Sequence, residues 1–222
     1  MVRFGAVLKV SVLIIALAAP ESAAAAQPCR IAVLGDSLTS GYGLDLEEAF
    51  PARLEAALRG AGLDCEVADA GVTGDTSAGA RARLDWLLAD RPSHVIVELG
   101  GNDALRALPP EQMEENLDAI LARLGEAGIE ALLAGMYAPP NLGPEYAEAF
   151  AAVFPRLAGE HDVPLYPFFL EGVAGDPALN QRDGIHPSAE GVAVIVRRML
   201  PMVIAWLADR PGEGRPRTGR ES

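Results

Sequence analysis

Five apolar runs recur along the chain, at residues 31–34, 65–70, 94–99, 130–135 and 164–168, and each gives way to a stretch where apolar residues return at helical spacing. Short continuous apolar runs that alternate with amphipathic segments predict strands buried on both faces, hence an α/β fold with a parallel sheet covered by helices. Helices are predicted over 47–59, 77–89, 111–127, 144–160 and 187–208. Gly60 and Gly128 act as stops, and Pro201 predicts a kink in the last helix. No internal repeat interrupts this alternation.

With 222 residues, half of them hydrophobic, the chain suits one compact domain with a sizeable core. That domain is expected over 27–209. The first 26 residues read as a secretory signal: Arg3 and Lys9, an apolar run over 10–19, and Ala24-Ala25-Ala26 as the small-residue cleavage site. The run is shorter than the ~20 residues a bilayer span requires, so cleavage is expected rather than anchoring. The mature protein is therefore expected in the periplasm or outside the cell, with no stable membrane insertion. Residues 210–222, rich in Gly, Pro and Arg, read as a disordered tail.

A formal charge of -13 and a pI near 4.6 exclude a nucleic-acid partner, because binding a polyanion takes a basic stripe that displaces phosphate counterions. The only lysine is Lys9, which leaves lysine Schiff-base and P-loop chemistry without a residue. Export changes the reading of the two cysteines. Cys29 precedes the first strand and Cys65 opens the second, so parallel neighbouring strands would set the thiols side by side. A disulfide and a pair of buried free thiols both fit that placement.

The candidate chemistry begins at GDSLTSGYGLD, residues 35–45, where a serine follows directly on the first buried strand. Strand ends in α/β proteins are where reactive groups are mounted, because a rigid sheet holds the loop. A nucleophilic Ser37 needs a base, a group that orients the base, and donors for the developing oxyanion. His94 opens the third strand at the sheet's far edge and His161 lies in the loop before the fifth, so both read as surface or core-packing residues. His186, in DGIHPSAEG, enters the last helix with Asp183 three residues earlier, close enough for the carboxylate to hold Nδ1. The loops AGVTGDTSAG (70–79) and ELGGNDALR (98–106) follow strands two and three. They place the Gly74 N–H and the Asn102 amide on the same rim, where with the Ser37 N–H they form a candidate oxyanion hole. Each block taken alone also reads as a turn or a helix cap. Together they fall at C-terminal strand ends in the order the chemistry requires. Thr39, two residues beyond the serine, departs from the G-x-S-x-G elbow of α/β-hydrolases.

The four blocks GDSLTSGYG, GVTGDTS, ELGGND and DGIHP resemble those of the SGNH (GDSL) hydrolases, and nearly the whole mature chain is similar in layout to their bacterial periplasmic acyl-CoA thioesterase/arylesterase/lysophospholipase group. The resemblance implies a three-layer αβα flavodoxin-like sandwich with a five-stranded parallel sheet in the order 2-1-3-4-5, and no metal or organic cofactor. It implies Ser37 as nucleophile, His186 as general base, Asp183 as its orienter, and Gly74 and Asn102 as the oxyanion hole. LRALPP (105–110) resembles that group's mobile loop over the acyl chain, and MYAPPNLG (136–143) lies where its fourth-strand loop borders the pocket. The expected activity is hydrolysis of a small-molecule acyl ester or thioester by a monomer, of arylesterase, lysophospholipase or thioesterase type. A carbohydrate O-acetylesterase is the alternative within enzymes, against which aromatic residues at only 5% of the chain argue mildly. A non-catalytic lipid carrier is the alternative outside them.

Overall fold

The structure is a computed structural model that describes Met1 and residues 29–209. The expected signal segment, apart from Met1, and the expected tail lie outside the described residues. Five strands, β1 (Cys29–Gly35), β2 (Cys65–Gly71), β3 (His94–Glu98), β4 (Glu130–Ala134) and β5 (Leu165–Tyr166), form one parallel sheet in the order β2-β1-β3-β4-β5. Ile31, Val33, Leu34, Val95, Ile96, Val97, Leu132 and Leu133 are almost wholly buried, as a sheet covered on both faces demands. The order reverses beside β1, since the chain crosses from β2 back over it to β3. Loops after β1 and β3 therefore diverge at the carboxyl edge and open the crevice in which α/β proteins bind ligands.

The helices α1 (Ser37–Ser40), α2 (Phe50–Gly60), α3 (Ser77–Ala82), α4 (Leu84–Ala89), α5 (Gly101–Leu105), α6 (Pro110–Glu126), α7 (Pro144–Glu160) and α8 (Ala189–Ala208) connect the strands. Several expected bounds change for local reasons. The helix expected from residue 47 starts at Phe50, after a 3-10 turn and an extended Ala49, with Pro51 in the first turn where its missing N–H is harmless. The last helix starts at Ala189, because Ser188 caps it and Pro187 pairs in an antiparallel bridge with Asn180. It continues through Pro201 to Ala208. The fifth strand shrinks to Leu165–Tyr166 because Pro164 and Pro167 flank it and neither has an N–H for the ladder. The segment expected as one helix over 77–89 is broken at Arg83 into α3 and α4.

α8 is long and apolar enough to cross a membrane by length and composition, yet Val192, Ile195, Met199 and Val203 are buried in the protein core and the helix packs on α2.

Cys29 stands opposite Cys65 in the β1–β2 register, their Cα atoms 4.6 Å apart, and they form a disulfide. The pair spans a sequence separation of 36, and cross-linking a loop of that size constrains the unfolded chain by about 4 kcal/mol in the chain-entropy account. Intact-mass analysis of the mature protein is expected to find no alkylatable thiol without reductant, and reduction should lower the melting temperature. Two free thiols in the unreduced protein would contradict the pairing.

Candidate active site

β1 ends at Gly35, and the Asp36 side chain accepts from the Leu38 N–H at 2.9 Å, capping a single helical turn that Gly41 closes in the left-handed region (φ 69°). Ser37 is the first residue of that turn, so its N–H has no partner within the turn. Its hydroxyl lies 2.9 Å from Nε2 of His186. Nδ1 of His186 is 2.7 Å from Oδ2 of Asp183, whose Oδ1 accepts from the backbone N–H groups of Ile185 at 2.9 Å and His186 at 3.0 Å. A carboxylate so fixed accepts a hydrogen bond from Nδ1–H, which leaves the Nε2 lone pair facing the serine hydroxyl. The three residues expected to act together are thus one hydrogen-bonded chain, although Ser37 and His186 stand 149 positions apart.

The backbone N–H of His186, then its imidazole and the Ile185 N–H, pull the Asp183 carboxyl down to about 2. Because this value lies below the ordinary 3.8, the stability the group contributes is present above about pH 4 and is lost as the pH falls through about 2. Asp183 therefore keeps its charge until the pH approaches about 2. An NMR titration of the Asp183 carboxyl carbon is expected to find its midpoint at about 2, and a midpoint at or above 3.8 would contradict this.

The expected oxyanion donors occupy two loops that are pinned to each other and to the serine turn. Asn102 Nδ2 donates to Oδ2 of Asp36 at 2.8 Å, which engages one of its two hydrogens, fixes the amide plane and leaves the other free. Asp103, the next residue, is buried and accepts both from the Ser77 N–H at 2.9 Å and from its hydroxyl at 2.6 Å. Arg106 Nη2 donates to the Gly74 carbonyl at 2.7 Å, and Gly74 itself has φ 80°, a conformation that favours glycine. At Gly71 a Cβ would stand 2.6 Å from the Ser40 nitrogen and 2.8 Å from the Asp36 carbonyl oxygen, so only glycine lets the β2 loop lie this close to the serine turn.

Four further residues of the site were not among the candidates that the sequence motifs supplied. Tyr42 lays its ring against the His186 imidazole, with centroids 4.6 Å apart. Gln181 joins the loops that bear Ser37 and His186: Nε2 donates to the carbonyls of Tyr42 at 2.6 Å and Pro187 at 3.0 Å, and its N–H donates to the His186 carbonyl at 2.8 Å. Glu98 is wholly buried beneath Gly35 and accepts from the Thr39 hydroxyl at 2.8 Å. Burial, and after it the Asp36 charge, push the Glu98 carboxyl well above the ordinary range, which favours its neutral form. Arg83 donates to Asp75, Ala70 and Gly35. Of these Tyr42, inside GYG, and Glu98, which opens ELGGND, lie within the motif blocks; the partners of Gln181 and Arg83 that tie the site together are distant in sequence.

The other two histidines are accounted for elsewhere. His94 packs edge-on against Trp206, and His161 contacts Asp118 at 2.7 Å. Leu105 and Tyr137, in the two loops expected to border an acyl group, are exposed, as are Val72 and Ile185 on neighbouring loops. Concavities along the outer edge of β2, one beside Leu87 and Asp90 and one beside Leu46 and Pro51, contain none of the triad or of the expected oxyanion donors. Among the described residues no three or more His, Cys, Asp or Glu side chains are grouped so as to hold a metal ion.

Residues 33–194 match the model of the GDSL-like Lipase/Acylhydrolase family. The chain is 42% identical over 179 residues to "Esterase TesA" of Pseudomonas aeruginosa, covering 80% of this chain and 88% of that one. It is 42% identical over 185 residues to "Thioesterase 1/protease 1/lysophospholipase L1" of Escherichia coli, covering 83% and 84%. Among solved structures, the psychrotrophic esterase EstA from Pseudoalteromonas sp., in a form inhibited by monoethylphosphonate, superposes with a TM-score of 0.78 at 35% identity over 82% of this chain and all of that one.

Proposed function

Since the chain belongs to the GDSL-like lipase/acylhydrolase family and is an ester hydrolase of that kind, we propose that it cleaves apolar acyl esters and thioesters through an acyl-enzyme on Ser37. The observation that carries this reading is the unbroken chain from Ser37 through His186 to Asp183. In the reaction His186 takes the Ser37 proton as the serine attacks the carbonyl, and Asp183 holds the imidazolium that forms. The tetrahedral oxyanion is received by the N–H groups of Ser37 and Gly74 and by the free amide hydrogen of Asn102. His186 then protonates the leaving alcohol or thiol, and water repeats the sequence on the acyl-enzyme. Asp36 and Glu98 stay off the proton path, since Asp36 is committed to Leu38 and Asn102 and Glu98 is sealed beneath the turn.

The exposed aliphatic side chains of Leu105 and Ile185 on the surrounding loops favour an acyl chain over a sugar. The disulfide supports export to an oxidising compartment, where esters of lipids or small alcohols are the available substrates.

Initial rates on p-nitrophenyl esters from acetyl to palmitoyl, with lysophosphatidylcholine beside them, test the reading. A maximum at medium or long chains, with an organophosphonate adduct mapped to the Ser37 peptide, is expected. Activity confined to acetyl would favour carbohydrate deacetylation, and absence of both turnover and adduct would overturn the proposal.

A further inference from the structure

We propose that Arg83 is a positioning residue of the oxyanion hole, clamping the ends of β1 and β2 to the Gly74 loop so that the Gly74 N–H keeps its place relative to Ser37. The inference rests on the ester-hydrolase reading above. Arg83 uses each of its guanidinium nitrogens on a different part of the site. Nε donates to Asp75 Oδ2 at 2.7 Å, Nη1 to the Ala70 carbonyl at 2.8 Å, and Nη2 to the Gly35 carbonyl at 3.0 Å. Gly35 ends the strand that delivers Ser37, Ala70 lies at the end of β2, and Asp75 follows Gly74 directly. A guanidinium is planar with its donors in a fixed fork, so three acceptors bound to it are held at fixed separations.

Two independent features point the same way. The helix expected over 77–89 is broken at Arg83, where the chain leaves α3 before entering α4, and this is the residue whose side chain reaches the strand ends. Gly79 leaves the space that the Asp75 carboxylate fills: a Cβ there would overlap Oδ1 and stand 2.9 Å from Cγ. The ion pair is largely shielded, with side-chain exposures of 24% for Arg83 and 13% for Asp75. β1 and β2 are already joined by their ladder from Cys29↔Cys65 to Gly35↔Gly71 and by the disulfide, so the sheet itself does not need the clamp. What Arg83 adds is placed on the loop that carries Gly74.

The test compares Arg83→Ala, Arg83→Lys and Gly79→Ala with the wild type and with Arg59→Ala, a control whose side chain pairs with Glu55 on α2. Removing one oxyanion donor outright costs ~100 to 1,000-fold in kcat, so displacing it is expected to cost ~10 to 100-fold, with KM little changed. Inactivation by a small organophosphonate, whose oxygen enters the same hole, should slow in parallel. Arg83→Lys keeps the charge and lacks the fork, so it should rescue little. Gly79→Ala leaves Arg83 intact and improves helix propensity, yet should reproduce the loss by displacing Asp75. It also keeps the test decisive if Arg83→Ala does not fold. Unchanged kcat and phosphonate rate in Arg83→Lys and Gly79→Ala would overturn the clamp, as would effects confined to KM or melting temperature. If those variants match a wild type that is active and labelled on Ser37, only the clamp fails. A wild type with neither property fails the ester-hydrolase reading itself.

Discussion

Replacing Ser37 by alanine is expected to lower ester hydrolysis by about 10⁴-fold or more, on the order seen when a serine nucleophile is removed from a triad, and to leave the protein folded. The change deletes one oxygen. The Asp36 cap on Leu38, the Ser37 N–H and the Gly41 stop all remain. The abandoned partner, Nε2 of His186, belongs to a side chain that is 17% exposed and can take water instead. Substrate analogues should still bind, because the apolar loops and the oxyanion donors are untouched. Adding His186→Ala to Ser37→Ala should cost almost nothing further, since a base without a nucleophile has no proton to take and triad effects are strongly non-additive. The measurement is single-turnover kinetics on a medium-chain p-nitrophenyl ester with circular dichroism on the same samples. Residual hydrolysis within ten-fold of the wild type by a homogeneous, folded Ser37→Ala protein would remove Ser37 from the reaction.

Asn102→Ala is the second large effect, a loss of about 10² to 10³ in kcat, equivalent to about 3–4 kcal/mol of transition-state stabilisation, with KM nearly constant. The donor meets the substrate oxygen only once charge develops there, so its removal falls on the barrier rather than on ground-state binding. The structure adds a second consequence. Asn102 is also a donor to Asp36, and burial already raises the Asp36 carboxyl against the Leu38 and Asn102 bonds that hold its charge. Taking the amide away therefore weakens the cap of the serine turn. Asn102→Asp is expected to be worse than Asn102→Ala, because it sets a second carboxylate against Asp36 in place of a donor. An Asn102→Asp protein more active than Asn102→Ala would show that the amide's hold on Asp36 is not part of how the site is organised.

The parts of this site that local chemistry defines are legible in the amino-acid sequence. Asp183 and His186 lie three residues apart in one loop, and the carboxylate is fixed by the backbone N–H groups of that same loop. The one-turn helix at Ser37 follows from the Asp36 cap and the Gly41 stop. The apolar runs of β1, β3 and β4 mark strands buried on both faces because the covered centre of a parallel sheet tolerates no polar face, whereas β2 at the sheet edge leaves Glu66, Ala68 and Asp69 exposed. Legibility fails where proline or a distant partner decides the outcome. Pro164 and Pro167 shorten β5, which the apolar run alone would extend. Glu98 reads as a strand end, and its carboxyl is pushed up only because the fold buries it and sets Asp36 beside it. Arg83 sits inside an uninterrupted helical pattern, and nothing near it in the chain announces Gly35 as a partner 48 positions away.

The order of residues by itself thus determined the strand–helix alternation, the reactive blocks and their placement after strands, because each rests on hydrophobic periodicity or on hydrogen bonds within a few residues. Only the tertiary structure decided the Ser37–His186 bond, the Gln181 tie between their loops, the Asp36 hold on Asn102 and the Cys29–Cys65 disulfide. Those contacts join groups from 36 to 149 positions apart, and they exist only once the strands are in register and the crevice beside β1 has brought the loops together.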